Sequence, residues 1–311
     1  MTNIVWFNDI NKHKSIIGIK ALNLATLYNE KFPIPYGFII TNNAFNEFIN
    51  PLKDKIRDVL IDINIDNKEQ LQYASNIIQD LILEQQVPNS ISRDIIEAYN
   101  NISIDTDILL NSDIKTLKFI RSGRDSSFVA LRSSSNIPSS TFINVKGKNN
   151  IVQASLQSWG SLFSHESIAF KIKNNIDVQS SLIVQKMINP DKSGLVLIND
   201  NEIIINAGFG LGDAIVTNSV SSDNYILDRS TLQIKSYKIN KQEYKLNLDE
   251  FTGKTIKKDL HHNGEEQKLR EDEIKKIANL AKDLHSYYKK YLEFEFALEG
   301  RKVFVIHSRM L

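Results

Sequence analysis

An α+β fold is the architecture this sequence predicts, and three observations predict it. Apolar residues recur at helical spacing through the first hundred or so positions. Short apolar runs bounded by turn residues crowd the stretch from 128 onward. One long amphipathic segment followed by a strand–turn–strand then closes the chain. Helices first and a strand-rich second half fit α+β better than a doubly wound sheet, in which strands and helices alternate.

The elements follow in order. GIKALNLATLYNE (18–30) spaces Ile19, Leu22, Leu24 and Leu27 as a face a helix could bury. In FPIPYGFIIT two prolines precede a short apolar strand, and Thr41, Asn42 or Asn43 can cap the helix AFNEFIN. KDKIRDVLIDI, KEQLQYASNIIQDLILEQ and SISRDIIEAYNNI read as further helices, and a polar stretch around 103–127 holds a weak loop at RSGRDSS. FVALRSSS reads as a strand running into a polar turn, and NNIVQASLQSWGSLF and HESIAFKIKNNI as helices. Strands are expected at SSLIVQKMI, GLVLIND and EIIINAG, with Asn199-Asp200-Asn201 as a hairpin turn, and again at NYILD and LQIKSYKI. QKLREDEIKKIANLAKDLHSYYKKYL is the longest helix, with Ile274, Ile277, Leu280, Ala281 and Leu284 on one stripe, and EFEFALEGRKVFVIHSRML is a strand–turn–strand.

Composition narrows the function classes. The chain has 311 residues, enough for two lobes. Its 38 Lys and Arg against 37 Asp and Glu leave a formal charge of +1 with no basic block, which argues against a general nucleic-acid binder. Cysteine is absent, so disulfides, thiolate zinc sites and cysteine nucleophiles are excluded. The N-terminal stretch lacks the apolar core of a signal peptide, and no run approaches eighteen apolar residues. A cytoplasmic protein without nucleic-acid or membrane partners is the expectation.

Two features invite a chemical reading. INAGFGLGDAIVTNSVSSD brings together Gly208, Gly210 and Gly212. It fits neither a dinucleotide-binding fingerprint, since the third glycine position falls on Asp213 or Ile215, nor a P-loop. AIVTNSV is too β-branched and polar for a confident helix, and a tight turn is the plainer reading. In the closing hairpin, a turn at Glu299-Gly300-Arg301 would set Glu295 opposite Val305 and Glu293 opposite His307. Glu293, Glu295, His307 and Arg309 then share one face. That set suits a divalent cation beside phosphate oxygens, while a solvated face of cross-strand ion pairs is the plainer reading.

These fragments occur in a familiar order. VWFNDI with SIIGIKALNLATL resembles an opening W-F followed by G-G-K-G-A-N-L-A-E-L, and PIPYGFIITNNAF resembles P-V-P-P-G-F-V-I-T with its helix. VALRSSS is similar to V-x-V-R-S-S-A, SWGSLFSHESIAFK to W-x-S-L-F-x-x-R-A-x-x-Y-R, and LIVQKMINPDKSGLVL to V-V-Q-x-M-V-x-x-x-x-S-G-V-x-F. INAGFGLGDAIVTNSVSSDNY resembles G-L-G-E-x-V-V-x-G-x-V-x-P-D-x-Y, and EFEFALEGRKVFVIHSR resembles D-I-E-W-A-x-x-x-G-x-L-x-x-L-Q-x-R. The chain thus resembles, almost end to end, the N-terminal nucleotide-binding domain of the phosphoenolpyruvate synthase and pyruvate phosphate dikinase family, which includes rifampicin phosphotransferases.

The resemblance implies an ATP-grasp-type fold of two lobes, with an N-terminal lobe over 1–177 and a C-terminal lobe over 178–311. It implies that Lys20, Arg132 and Arg309 contact phosphate, and that Gln185, Lys186, Met187 and Ile188 form an adenine hinge. Glu295 resembles a magnesium ligand, His307 stands where the family has a metal-binding glutamine, and Asp213 replaces the acid of GLGE. The implied ligands are ATP and Mg²⁺, with Mn²⁺ as an option. The implied activity is that of a kinase with paired acceptors, passing phosphoryl to a histidine on a separate domain or chain.

Departures from the pattern temper that activity. Only SSSNIPSSTFI separates Arg132 from Asn144, so the family's glycine-bearing phosphate loop is much shortened. Imidazole is a poor Mg²⁺ ligand, and Ile19 and Ala21 stand where glycines usually sit. None of the six histidines lies in a T-S-H-x-A setting, so the swivelling histidine domain and the pyruvate site are not expected within these residues. The alternative expectation is a degenerate, non-catalytic member used in nucleotide sensing or partner binding.

Overall fold

The structure is a computed structural model and describes residues 2–102, 104, 116 and 127–311. The expected polar stretch at 103–127, RSGRDSS included, lies almost wholly outside the described residues. Helices and antiparallel sheets make the protein α+β, as its sequence predicts. It divides into two compact units, residues 1–30 with 36–187 and residues 31–35 with 188–311.

The first unit is built on a five-stranded antiparallel sheet of order β1-β2-β5-β3-β4. These strands are β1 (Ile4–Trp6), β2 (Gly37–Ile40), β3 (Val129–Ser135), β4 (Thr141–Val145) and β5 (Ser180–Lys186). Cross-strand register separates two faces. Phe38 opposite Val184, Ile40 opposite Leu182 and Leu131 opposite Val184 lie on one. That face is buried with the helices α2 (Asn42–Ile49), α4 (Lys68–Glu84), α5 (Asn89–Asn101) and α6 (Lys148–Ser161), whose Phe45, Phe48, Ile78, Ile95 and Trp159 complete the core. Fully burying each such aliphatic or aromatic side chain contributes roughly 1.5–3 kcal/mol.

Local sequence sets the helix ends. Thr41 caps α2, its Oγ accepting from the Ala44 amide at 3.4 Å. Asn67 Oδ1 accepts from the amides of Glu69 and Gln70, both at 3.1 Å, to start α4. α3 (Lys53–Leu60) connects these two helices, and α7 (His165–Asn174) ends on Asn175 in the left-handed conformation that a C-terminal cap favours.

α1 (Ile19–Asn29) covers the opposite face and corrects one expectation. Ala21, Leu24, Ala25 and Leu27 are buried, whereas Ile19 is 64% exposed. Ile19 stands about 200° around the helix from Ala21, so both cannot face the sheet. The helix start is pressed against β3: a Cβ on Gly18 would fall 2.0 Å from the Ser134 carbonyl oxygen.

The second unit holds a six-stranded antiparallel sheet of order β13-β12-β6-β7-β8-β9. Its strands are β6 (Lys192–Ile198), β7 (Glu202–Phe209), β8 (Asp223–Asp228), β9 (Ile234–Lys238), β12 (Leu292–Glu299) and β13 (Lys302–Met310). The expected β6–β7 turn forms, with Asn199 Oδ1 accepting from the amides of Asn201 (2.9 Å) and Glu202 (2.8 Å). α8 (Asp213–Val216) is a single turn, and α9 (Glu271–Tyr288) packs on β6 through Ile274, Ile277, Ala278, Ala281 and Leu284. Leu280 lies at the edge of this stripe, half-buried. Glu271, Asp272 and Glu273 fill the first turn of α9, where negative charge suits the positive end of the helix. The hairpin of β10 (Tyr244–Asp249) and β11 (Lys254–Asp259) was not legible in the sequence: every residue of β11 is exposed, so no apolar alternation marks it.

A buried ion pair fastens the segment leading from β9 to α9. Lys268 and Asp223 are both fully buried, Nζ 3.2 Å from Oδ1. Lys268 Nζ also donates to the carbonyls of Asn240 and Gly264, while Asp223 accepts from the Asn240 amide, the Lys268 amide and the Tyr225 hydroxyl. Burial, with the adjacent Asp223 carboxylate, holds the Tyr225 phenol above its ordinary range.

Asp223→Ala strands the Lys268 ammonium without its counter-charge, and urea denaturation should show a loss of about 3–5 kcal/mol. Gly210→Ala should cost about 1–3 kcal/mol, because Gly210 has φ +84° and a Cβ there would meet the Leu246 carbonyl at 2.4 Å. Gly212→Ala, with nothing nearer than 3.7 Å, should stay within about 0.5 kcal/mol of the parent in the same measurement.

Candidate functional site

In the first unit the strand register gathers two of the residues singled out from the sequence, Arg132 and Gln185. Arg132 pairs with Ile183, Ala130 with Gln185 and Ser134 with Ser181, so Arg132, Gln185, Ser134 and Ser181 share the face that α1 covers. Lys20 is exposed in the first turn of α1, which contains no acid, so its charge adds to the positive end of the helix. Two serines hold that end in place. The Gly18 amide donates to Ser181 Oγ and the Ala21 amide to Ser134 Oγ, both at 2.9 Å. Sequence reasoning missed both, although RSSS on a strand places Ser134 two residues from Arg132 on the same side.

Gln185 is buried, Lys186 exposed and Met187 half-buried at the end of β5. The amides of Lys186 and Met187 donate to the carbonyls of Tyr36 and Phe128, both at 2.9 Å. Ile188 begins the main segment of the second unit.

The shortened loop after Arg132 is a tight connection over 136–140 between β3 and β4. Its atoms are committed locally. Ile137 is buried, Asn136 Nδ2 donates to the Asp177 carbonyl (3.0 Å), Ser167 Oγ donates to the Pro138 carbonyl (2.8 Å), and the Ser140 amide donates to Ser161 Oγ (3.1 Å).

In the second unit the glycine run serves packing. Gly208 lies next to the end of β7, where a Cβ would fall 2.8 Å from Ile215, so its absence lets α8 fold back. The amides of Phe209, Gly210 and Leu211 donate to Gln242 Oε1 (2.8 Å), the Asp191 carbonyl (2.9 Å) and the Leu246 carbonyl (2.8 Å). A phosphate cradle needs such amides aimed at the ligand, and these three are already used. Asp213 is exposed at the first position of α8.

The closing hairpin forms in a register different from the expected one. Glu295 pairs with His307 and Glu293 with Arg309, while Val305 pairs with Phe296. A bulge between Glu295 and Phe296 admits Ile306 as an extra residue and reverses which side the following residues face. Val305 therefore turns into the core, fully buried, and His307 turns to the side of Glu293 and Glu295. The four polar residues share a face as expected, and Val305 is removed from it. Arg309 Nε lies 2.7 Å from Glu293 Oε1, so one carboxylate is already paired with the guanidinium. Among the described residues no three His, Asp or Glu side chains gather into a metal-sized group. Mg²⁺ needs no such group: it is commonly held through one or two carboxylates together with substrate phosphates, which Glu295 fits and His307 fits poorly.

Comparison with known proteins bears on what these residues serve. Residues 14–311 match the family model of the pyruvate phosphate dikinase AMP/ATP-binding domain. A probable phosphoenolpyruvate synthase of Methanocaldococcus jannaschii is 30% identical over 99% of this chain and 26% of its own length. One of Archaeoglobus fulgidus is 30% identical over 98% of this chain and 41% of its own, and the phosphoenolpyruvate synthase of Pyrococcus furiosus is 26% identical over 98% and 43%. The chain thus spans less than half the length of these relatives. A solved structure, that of PH1788 from Pyrococcus horikoshii Ot3, overlaps 77% of this chain and 98% of its own at 13% identity, and its TM-score of 0.32 is too low to inform the fold. Among the described residues no helix is long and apolar enough to cross a membrane. With the match running through both units, the chain belongs to the pyruvate phosphate dikinase AMP/ATP-binding domain family.

Proposed function

We propose that this chain is the ATP-binding part of a dikinase-type phosphotransferase with an ATP-grasp fold, similar in role to the corresponding part of phosphoenolpyruvate synthase. The observation that carries the reading is that Arg132 and Gln185 share a sheet face covered by α1, the helix that carries Lys20 in its first turn, in a chain matched by the family along its length. Lys20 and Arg132 bind phosphate oxygens, and Arg309 adds a further cation on the second unit. Main-chain groups over 185–188 form the hinge that reads the base edge, with the amides of Lys186 and Met187 themselves used within the sheet. Asp213 takes the ribose or the metal.

A bound Mg²⁺ would supply positive charge against the phosphate oxygens as charge develops on them. Glu295 would hold it, and the softer imidazole of His307 opens the site to Mn²⁺. Phosphoryl then passes to a histidine on a separate domain or polypeptide. The role of the residues described is to bind and orient the triphosphate and to neutralise its charge.

A second reading has one specific observation in its favour. The 136–140 connection is short and hydrogen-bonded to residues 161, 167 and 177, so it has little length or freedom to fold over phosphates. A member of this kind binds ATP and signals its presence without transferring phosphoryl.

Lys20→Ala and Arg132→Ala should each weaken ATP binding about ten- to a hundredfold by calorimetry, as loss of a charge-assisted phosphate contact implies. Unchanged affinity in both variants would remove the assignment. Incubation with β- or γ-labelled ATP and the natural histidine-bearing partner should label that partner. Tight ATP binding with no label on the partner would establish the non-catalytic reading instead.

A further inference from the structure

On the helix side of the first sheet, away from the face of Arg132 and Gln185, lies a recess of about 660 Å³. Its floor comes from Phe45 and Ile49 of α2, Ile56 of α3, Phe163 after α6 and Val178 before β5. Its volume lies within the roughly 300–1,000 Å³ typical of small-molecule sites. At its mouth Ile61 is 71% and Ile172 36% exposed, so apolar groups there meet water that an apolar body would displace.

The charges around the recess have one predominant sign. Lys53, Arg57 and Lys171 line it against a single carboxylate, Asp177. Arg57 is engaged outside, 3.0 Å from Asp54. Lys171 is half-buried, and that burial holds its ammonium below the ordinary lysine range, with Asp177 opposing the shift. A partly desolvated cation above an apolar floor gains from an anion that brings its own apolar body. Inorganic phosphate has no apolar body to cover Phe45, Ile49 and Ile56, so the apolar floor favours an anion that carries one.

We propose that the recess binds a small amphipathic carboxylate, an aliphatic or aromatic acid, with its apolar body on Phe45, Ile49 and Ile56 and its carboxylate at Lys171. The site is formed within the first unit alone and does not depend on the nucleotide reading. Its lining includes residues 175–179, which lead directly into β5, the strand that ends at Gln185 and Lys186.

The probe is 8-anilinonaphthalene-1-sulfonate, an aromatic anion that fluoresces on leaving water, titrated into the full chain beside its uncharged relative N-phenyl-1-naphthylamine. The expected result is saturable one-site binding of the anion, displaced by decanoate and not by 1-decanol at equal concentration. Lys171→Met should weaken the anion about tenfold while changing the neutral probe less than about twofold. Gln179→Trp, which fills the mouth from an exposed position, should abolish both. Non-saturable binding, displacement by decanol as readily as by decanoate, or indifference to both substitutions in protein with native circular dichroism would overturn the proposal. The decanoate and decanol arms use the unaltered chain and decide the matter even where a variant fails to fold.

Discussion

The two-residue period of an extended chain is the constraint on which the first unit depends. In β3, Val129, Leu131 and Ser133 point one way, and Ala130, Arg132 and Ser134 point the other. Val129 and Leu131 of the first set join the apolar core against the helices, so the second set is committed to the side of α1. Arg132 cannot change faces without carrying Leu131 out of the core. The same parity in β5 aligns Ser181 and Gln185 with it. Packing energy, which dwarfs the worth of any single polar contact, thus fixes where the polar groups stand.

The seat of α1 converts that alignment into electrostatics. Gly18 approaches β3 more closely than any side chain would allow, and hydroxyls from two neighbouring strands take amides at the helix start. Serine suits both places because it is short and accepts a hydrogen bond without carrying charge. An aspartate there would satisfy the same amides and cancel part of the positive potential beside Lys20. The run at 208–212 has the contrary character, since the amides of Phe209, Gly210 and Leu211 are held by Gln242, Asp191 and Leu246, and the lack of a side chain at Gly208 and Gly210 serves close packing.

Much of the fold was legible because long apolar periodicities survive in the sequence. α4, α5, α9 and the β6–β7 hairpin lie close to where their patterns place them. The face of α1 was misread because its buried stripe includes two alanines, and spacing alone did not set Ala21 and Ala25 above Ile19. The β10–β11 hairpin was missed for the opposite reason, as it carries no buried face on one strand. In the site, residue identities were carried by family resemblance, while the serines, the Glu293–Arg309 pair and the fastening of 136–140 come from contacts distant in sequence. The recess under α2 and α7 has no linear signature, since its walls lie more than a hundred residues apart.

The bulge at Ile306 has a consequence for how such hairpins are compared. A single inserted residue decides that Val305 goes inward and His307 outward, so the chemistry of this face is encoded in a length as much as in an identity. Two related chains with the same final residues but one residue more or fewer after Gly300 would present different atoms on the same sheet. Aligning them letter by letter would conceal the inversion. Counting positions from the turn would expose it.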